Sequence, residues 1–185
     1  MILETIVSTT DAQGRTNFAP MGIVLEGERI LLRPFRTAVT WTNLQEIGEG
    51  VVNFTDDVLL FARCAVLSCQ PPHRDASRVR GKVLENTCSW KEFVVESKDL
   101  SEERGRFWGR VVSEGRTREF IGFNRARHAV IEATILTTRL HLLGKSRVLE
   151  EIARLRPLVD KTAGPAEREA YEFLTEHARR YDDAR

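Results

Sequence analysis

Asn17-Phe-Ala-Pro-Met-Gly22, Leu32-Arg-Pro-Phe-Arg-Thr37, Thr40-Trp-Thr-Asn-Leu44 and Val52-Asn-Phe-Thr-Asp-Asp57 belong to one stretch, and their order decides the fold. They read as strand, hairpin, strand, polar corner, short helix and returning strand. Upstream, Ile2–Thr9 is rich in β-branched residues, and Asp11-Ala-Gln-Gly14 is a turn before a second strand over about Thr16–Leu25. Glu26-Gly-Glu28 closes another hairpin onto a strand over Arg29–Phe35. Strands joined in succession by tight turns make an antiparallel meander, not a βαβ unit. Pro20 cannot donate to a ladder, so it predicts either an edge position or a bulge.

Thr42-Asn-Leu-Gln45 has the capping-box pattern and Gly48 is a natural stop, which predicts a helix of barely two turns. Gly50–Thr55 returns as a strand. Asp56 or Asp57 then caps an apolar helix over Val58–Leu67, expected to be buried between layers or against a second subunit. Gln70–Arg80 reads as a polar loop. Strands are expected over Cys88–Ser97, Arg106–Val112 and Thr117–Gly122, with Ser113–Arg116 as a turn. After Asn124 the period becomes helical. Ala129, Ala133, Leu136, Leu140 and Leu143 mark one helix, and Val148, Ile152, Leu155 and Val159 a second. Gly164-Pro165 starts a third, with Ala170, Phe173, Leu174, His177 and Tyr181 on one face.

The 185 residues are enough for one domain, or one domain with a helical appendix, and 42% apolar content supplies a core. Charged residues make up 30% but nearly cancel at net +1, which argues against nucleic acid as a partner. No apolar run approaches the roughly 20 residues of a membrane span, and the N-terminus lacks signal-peptide character, so a cytoplasmic protein is expected. Three cysteines without CxxC spacing favour neither a disulfide framework nor zinc, and Cys64 reads as an inert packing residue. The histidines (His73, His128, His141, His177) form no ligand pair, so no metal is expected.

Arg33, Arg36, Thr37, Thr40, Thr42 and Asn43 gather where a strand hands over to a helix N-terminus. The arrangement suits a phosphate, because helix N–H groups, the dipole and bidentate guanidinium bonds all favour an anion. It equally fits a solvated strand end whose arginines pair with surface carboxylates. Ala19-Pro-Met-Gly22 presents small residues on a strand, either for a flat ring lying on the backbone or as a bulged edge with a buried Met. Phe35, Trp41, Trp90 and Trp108 are available for stacking or for the core. No glycine-rich phosphate loop and no GxSxG elbow occurs, and no side chain stands out as acid or base.

As a set, the four quoted segments resemble the FMN-binding split β-barrel of flavin-reductase-like and pyridoxamine-phosphate-oxidase-like proteins. Within it they resemble the family catalogued as domain of unknown function 447. The resemblance implies an α+β, mainly β fold: an antiparallel split barrel with short inserted helices over 1–123, and a helical C-terminal segment over 124–185 packed on it. It implies a homodimer with FMN near the interface, the phosphate near Arg33, Thr37, Thr40 and Asn43, and the ring along Ala19, Pro20, Met21 and Gly22. Phe35 joins the flavin-binding set, and Arg36 serves either the phosphate or the interface. The expected function is an FMN-dependent oxidoreductase moving hydride or electrons to or from a small (hetero)aromatic substrate. A non-catalytic flavin carrier and a cofactor-free β-barrel interaction module are the alternatives. The C-terminal helices cap the barrel, extend the interface or gate the flavin.

Overall fold

The β-branched runs and tight turns before Thr117 build a closed, six-stranded antiparallel barrel. The structure is a computed structural model and describes residues 1–182. In chain order the strands are β1 (Ile2–Thr10), β2 (Thr16–Glu26), β3 (Arg29–Leu32), β4 (Glu49–Phe54), β5 (His73–Asp75), β6 (Lys82–Leu84), β7 (Ser89–Asp99) and β8 (Arg106–Arg116). The barrel order is β1-β2-β3-β8-β7-β4, with β4 closing onto β1, and β5 and β6 form a separate hairpin. Helix α1 (Val39–Glu46) lies between β3 and β4.

Two units partition the chain: Met1–Asp56 with Cys69–Phe120, and Asp57–Ser68 with Ile121–Arg185. The core of the first is Val7, Ile23, Ile30, Leu32, Val52, Phe93 and Phe107, joined by Trp41 and Leu44 of α1. Burying each large side chain there stabilises by about 1.5–3 kcal/mol. The Phe93 ring sits between Gly50 and Gly109, where an added Cβ would lie 2.9 and 2.8 Å from it. Polar side chains stitch β6 to the barrel wall. Ser8 Oγ accepts from Lys82 N at 2.9 Å and donates to Lys82 O at 2.6 Å, and Asn53 Oδ1 accepts from Leu84 N at 2.9 Å.

The second unit is helical: α2 (Val58–Val66), α3 (Arg125–Thr138), α4 (Leu140–Leu143), α5 (Lys145–Thr162) and α6 (Pro165–Arg180). Asp57 caps α2 by accepting from Leu60 N, and Asn124 caps α3 by accepting from Ala126 N and Arg127 N. The helices pack through small residues, among them Ala62, Ala129, Ala133, Ala170 and Ala178, with Ile152, Leu174 and Tyr171 between them.

Several expectations change. α1 begins after Ala38, so Thr42 is inside the helix and Gln45 bonds the Trp41 indole instead of a cap. Gly48, at φ +72°, does mark the stop. β3 ends at Leu32, three residues early. Ser113–Arg116 is not a turn; it continues β8 opposite Ser89–Glu92, and no strand follows at 117–122. Gly115 suggested a turn, but it is small because the Trp90 ring covers it, 2.4 Å from where a Cβ would stand. The polar loop 70–80 contains β5. The helix read through Leu143 breaks at Arg139. Cys64 is disulfide-bonded, against its reading as an inert packing thiol, and Cys88 is a buried free thiol.

Candidate functional site

β2 pairs with β1 in unbroken register from Thr16 to Val24, so Pro20 is not at a bulge. Its other neighbour, β3, pairs only from Ile23 to Glu26. The hairpin between them has two loop residues, and Gly27 adopts φ +61° at the first. The pair flanking a two-residue loop exchanges hydrogen bonds, so Glu26, Val24 and, by alternation, Gly22, Pro20 and Phe18 direct their main-chain groups to the β3 side. Pro20, which has no N–H to offer β1, fits this phase. The next ladder pair would be Gly22 with Arg33, and the chain departs there. From Gly22 back to Phe18, two N–H groups and three carbonyls therefore face away from β1 with no strand beside them. This is the split in the barrel wall.

The departure has a visible cause. The turn between β7 and β8 captures the chain after Leu32. Arg33 O accepts from Arg104 Nε at 3.3 Å, Phe35 bridges Arg104, and Arg36 N donates to Glu103 O at 2.9 Å. Arg36 Nη2 also donates to Leu100 O at 2.9 Å, and the Arg33 guanidinium lies 3.8 Å from the Glu102 carboxylate. The Arg104 guanidinium stacks 4.5 Å from the centroid of Phe35, which is half exposed.

A turn from Phe35 O to Ala38 N, 2.9 Å, then starts α1. Ala38 at the N-cap has extended backbone and offers no side-chain oxygen. The N–H groups of Trp41 and Thr42 reach Ala38 O, at 3.0 and 3.4 Å. Those of Val39 and Thr40 are left without an acceptor among the described residues, in the field of the helix N-terminus. Thr37 beside them is exposed, and its hydroxyl has no partner among the described residues.

Thr40 and Asn43 turn the other way. Both are buried; Thr40 Oγ1 accepts from Asn17 Nδ2 at 3.1 Å, and Asn43 Nδ2 donates to Thr9 Oγ1 at 3.0 Å. They pin α1 across the β1–β2 hairpin and so fix the helix start beside the open edge of β2. Trp41 locks the helix from the barrel side, edge-on to Phe107 at 5.4 Å, with Gly105 flat beneath its ring.

The corner thus brings together Arg36, Thr37 and the first amides of α1. Arg33 and Phe35 lie on the side held by the 100–104 turn, and Ala19, Pro20, Met21 and Gly22 line the open edge. Sequence reasoning missed Asn17, Thr9 and Arg104. Only Asn17, a polar residue opening a strand, carried a local signal. Among the described residues no group of His, Cys, Asp or Glu could hold a metal, and no helix is long and apolar enough to cross a membrane.

Family models match most of the chain: the N-terminal domain of the protein of unknown function DUF447 over residues 3–118, and its companion DUF447 model over residues 124–176. Among solved structures, the chain is similar to the FMN-bound protein MM1853 from Methanosarcina mazei, with 29% identity, a TM-score of 0.83, and 95% of this chain and 94% of that one covered. An FMN-binding protein from Thermus thermophilus shares 17% identity over 62% of this chain and 70% of its own, at a TM-score of 0.56. The flavin reductase HpaC, complexed with NADP+, shares 16% over 67% and 83%, at 0.57. The last two likenesses concern the fold.

Proposed function

The chain belongs to the DUF447 family, and from that premise we propose that it is an FMN-binding flavoprotein that transfers hydride or electrons to or from a small (hetero)aromatic substrate. The observation that carries the reading is the open edge of β2 beside an uncapped helix start. Support comes also from the FMN-bound relative that matches nearly the whole chain.

The donor set fits FMN. A dianionic phosphate suits the Val39 and Thr40 amides, the Thr37 hydroxyl and the Arg36 guanidinium, which keeps donors beyond its bond to Leu100 O. Arg33 adds charge at the rim, while Asn43 holds the helix in place through Thr9. The Phe18 and Gly22 amides are donors for ring carbonyl and nitrogen acceptors, and the Pro20 carbonyl accepts from a ring N–H. None of Ala19, Pro20 and Gly22 carries a side chain long enough to reach over the open edge. Bound FMN would supply the redox chemistry. The chain's own part is to hold the ring by main-chain groups, neutralise the phosphate and keep one face open. That division of labour accounts for the lack of any acid–base pair at the corner. The half-exposed Phe35 and exposed Val39 border the corner, and a second copy covering them would complete a homodimer with FMN near the interface.

The test is spectroscopic. Purified protein should be yellow with flavin absorbance bands, and anaerobic mixing with NADH or NADPH should bleach them within the time of a turnover. A colourless protein that takes up no FMN removes the proposal; stable colour that no reductant bleaches points to a carrier.

A further inference from the structure

The barrel unit holds a second concave feature, a cavity of about 630 Å³ between the Asp11–Gly14 turn and the β5–β6 hairpin. Thr10, Asp75, Arg80 and Lys82 are among its walls. It lies at the end of the β1–β2 hairpin nearest α1: Thr10 pairs with Thr16, the residue before Asn17. Its volume falls within the range of small-molecule sites, and its lining is polar.

Its charges are arranged unevenly. Asp11 is saturated, accepting from Gln13 N, Arg15 N and Arg15 Nε at 3.0, 2.8 and 2.7 Å. Lys82 is paired with one oxygen of Asp75, whose other oxygen is open to solvent. Arg80 lines the cavity with no partner for its guanidinium among the described residues. The result is one guanidinium without an ion-pair partner among the described residues beside one available carboxylate oxygen, with the Glu49 carboxylate engaged on the Arg80 amide.

The backbone that carries Arg80 is held rigidly. Buried Glu92 accepts from Ser77 N, Ser77 Oγ and Arg78 N at 3.0, 2.9 and 2.6 Å, and Glu49 accepts from Arg80 N at 2.8 Å. Ala76 N donates to Gly81 O at 3.2 Å. Two carboxylates thus bond main-chain amides and the Ser77 hydroxyl, and neither pairs with the Arg80 guanidinium. Such a loop presents Arg80 at little ordering cost to a ligand.

We infer that this cavity binds a nucleoside diphosphate group, Arg80 gripping the phosphates and the free Asp75 oxygen accepting from a ribose hydroxyl. Guanidinium–phosphate and carboxylate–ribose pairing are the two contacts such a group asks of a protein. The use of the site rests on the flavoprotein reading, since a dinucleotide hydride donor carries this group.

Calorimetric titration of the purified protein with ADP, adenosine and inorganic pyrophosphate tests it, with flavin content read separately from absorbance. The expected result is one ADP per chain, with adenosine and pyrophosphate each at least tenfold weaker. Arg80→Ala, at an exposed position whose main-chain bond to Glu49 survives, should weaken ADP at least tenfold, and Asp75→Asn should weaken it less. Neither variant should change flavin content. Absence of ADP binding, pyrophosphate binding as tightly as ADP, adenosine binding as tightly as ADP, or an Arg80→Ala variant that binds unchanged would each overturn the inference. ADP binding by a protein that takes up no FMN would leave this site standing and remove the flavoprotein reading.

Discussion

Gly105→Ala couples barrel packing to the candidate site and puts both to a quantitative test. A Cβ at this buried position would stand 2.2, 2.6 and 3.0 Å from Cζ3, Cη2 and Cε3 of Trp41. Ordinary contact begins near 3.4 Å, so the indole must withdraw by roughly 1.2 Å. It has nowhere to go without cost: Trp41 is 4% exposed, packed edge-on to Phe107, and bonded through Nε1 to Gln45 at 3.0 Å. Overpacking of this kind costs about 1–3 kcal/mol, which lowers the folding equilibrium about 5- to 150-fold. Trp41 is also the third residue of α1, so its retreat drags the Val39 and Thr40 amides from their place beside β2. Gly115→Ala is the control, because a Cβ there meets the Trp90 ring at 2.4 Å, away from the corner. Urea unfolding of both variants, alongside FMN titration, separates the effects. Both should lose comparable stability, and only Gly105→Ala should lose FMN affinity, by at least tenfold. Equal FMN affinity in the two variants would refute the coupling between Trp41 and the site.

Other perturbations have defined outcomes. Asn43→Leu strands the fully buried Thr9 hydroxyl and should cost about 1–3 kcal/mol in urea unfolding, while Asn43→Asp should cost more by burying a charge. Arg36→Ala should weaken FMN about 10- to 100-fold, the worth of a charged hydrogen bond, and Thr37→Ala less, both measured by fluorescence titration. Burial pushes the Glu92 carboxyl up, but the amides of Ser77 and Arg78 and the Ser77 hydroxyl outweigh it and hold the group below the ordinary glutamate range. Its folded value therefore lies under its unfolded one, so the stability it contributes is complete above the ordinary range and is lost as acid drops the pH through the folded value. Glu92→Gln should flatten that acid limb of the stability curve and lower stability at neutral pH.

The β1-β2-β3 meander and the return of β4 were legible because alternation and turn residues are local signals, whereas the β5–β6 hairpin and the far end of β8 were not. Gly27 and Gly48 sit where turn and cap chemistry put them, Asp57 is the one of the two aspartates that caps α2, and of the edge and the bulge that Pro20 left open it is the edge that β3 fails to cover. The start of α1 was not legible. Thr42-Asn-Leu-Gln45 has capping-box letters, yet the contacts that set the helix are Asn17 to Thr40, Asn43 to Thr9 and Trp41 on Gly105, all long-range. An alanine therefore stands at the N-cap, and the missing side-chain cap is what leaves the first amides open. Arg33 and Arg36 were readable as charges at a strand end but not as partners of the 100–104 turn, whose register no local pattern encodes. Gly115 shows the same ambiguity from the other side: one glycine serves a turn or a covering ring, and only the partner strand decides.

The claim beneath all of this is that the phosphate of a mononucleotide rests on the uncapped start of α1, and comparing FMN with riboflavin tests it most directly. Deflavinated protein should be titrated with each in turn and followed by quenching of flavin fluorescence. Saturable binding of one FMN per chain is expected, with riboflavin at least tenfold weaker and a preference that shrinks in Arg36→Ala. Equal affinity for the two, or no saturable binding of either, would contradict it.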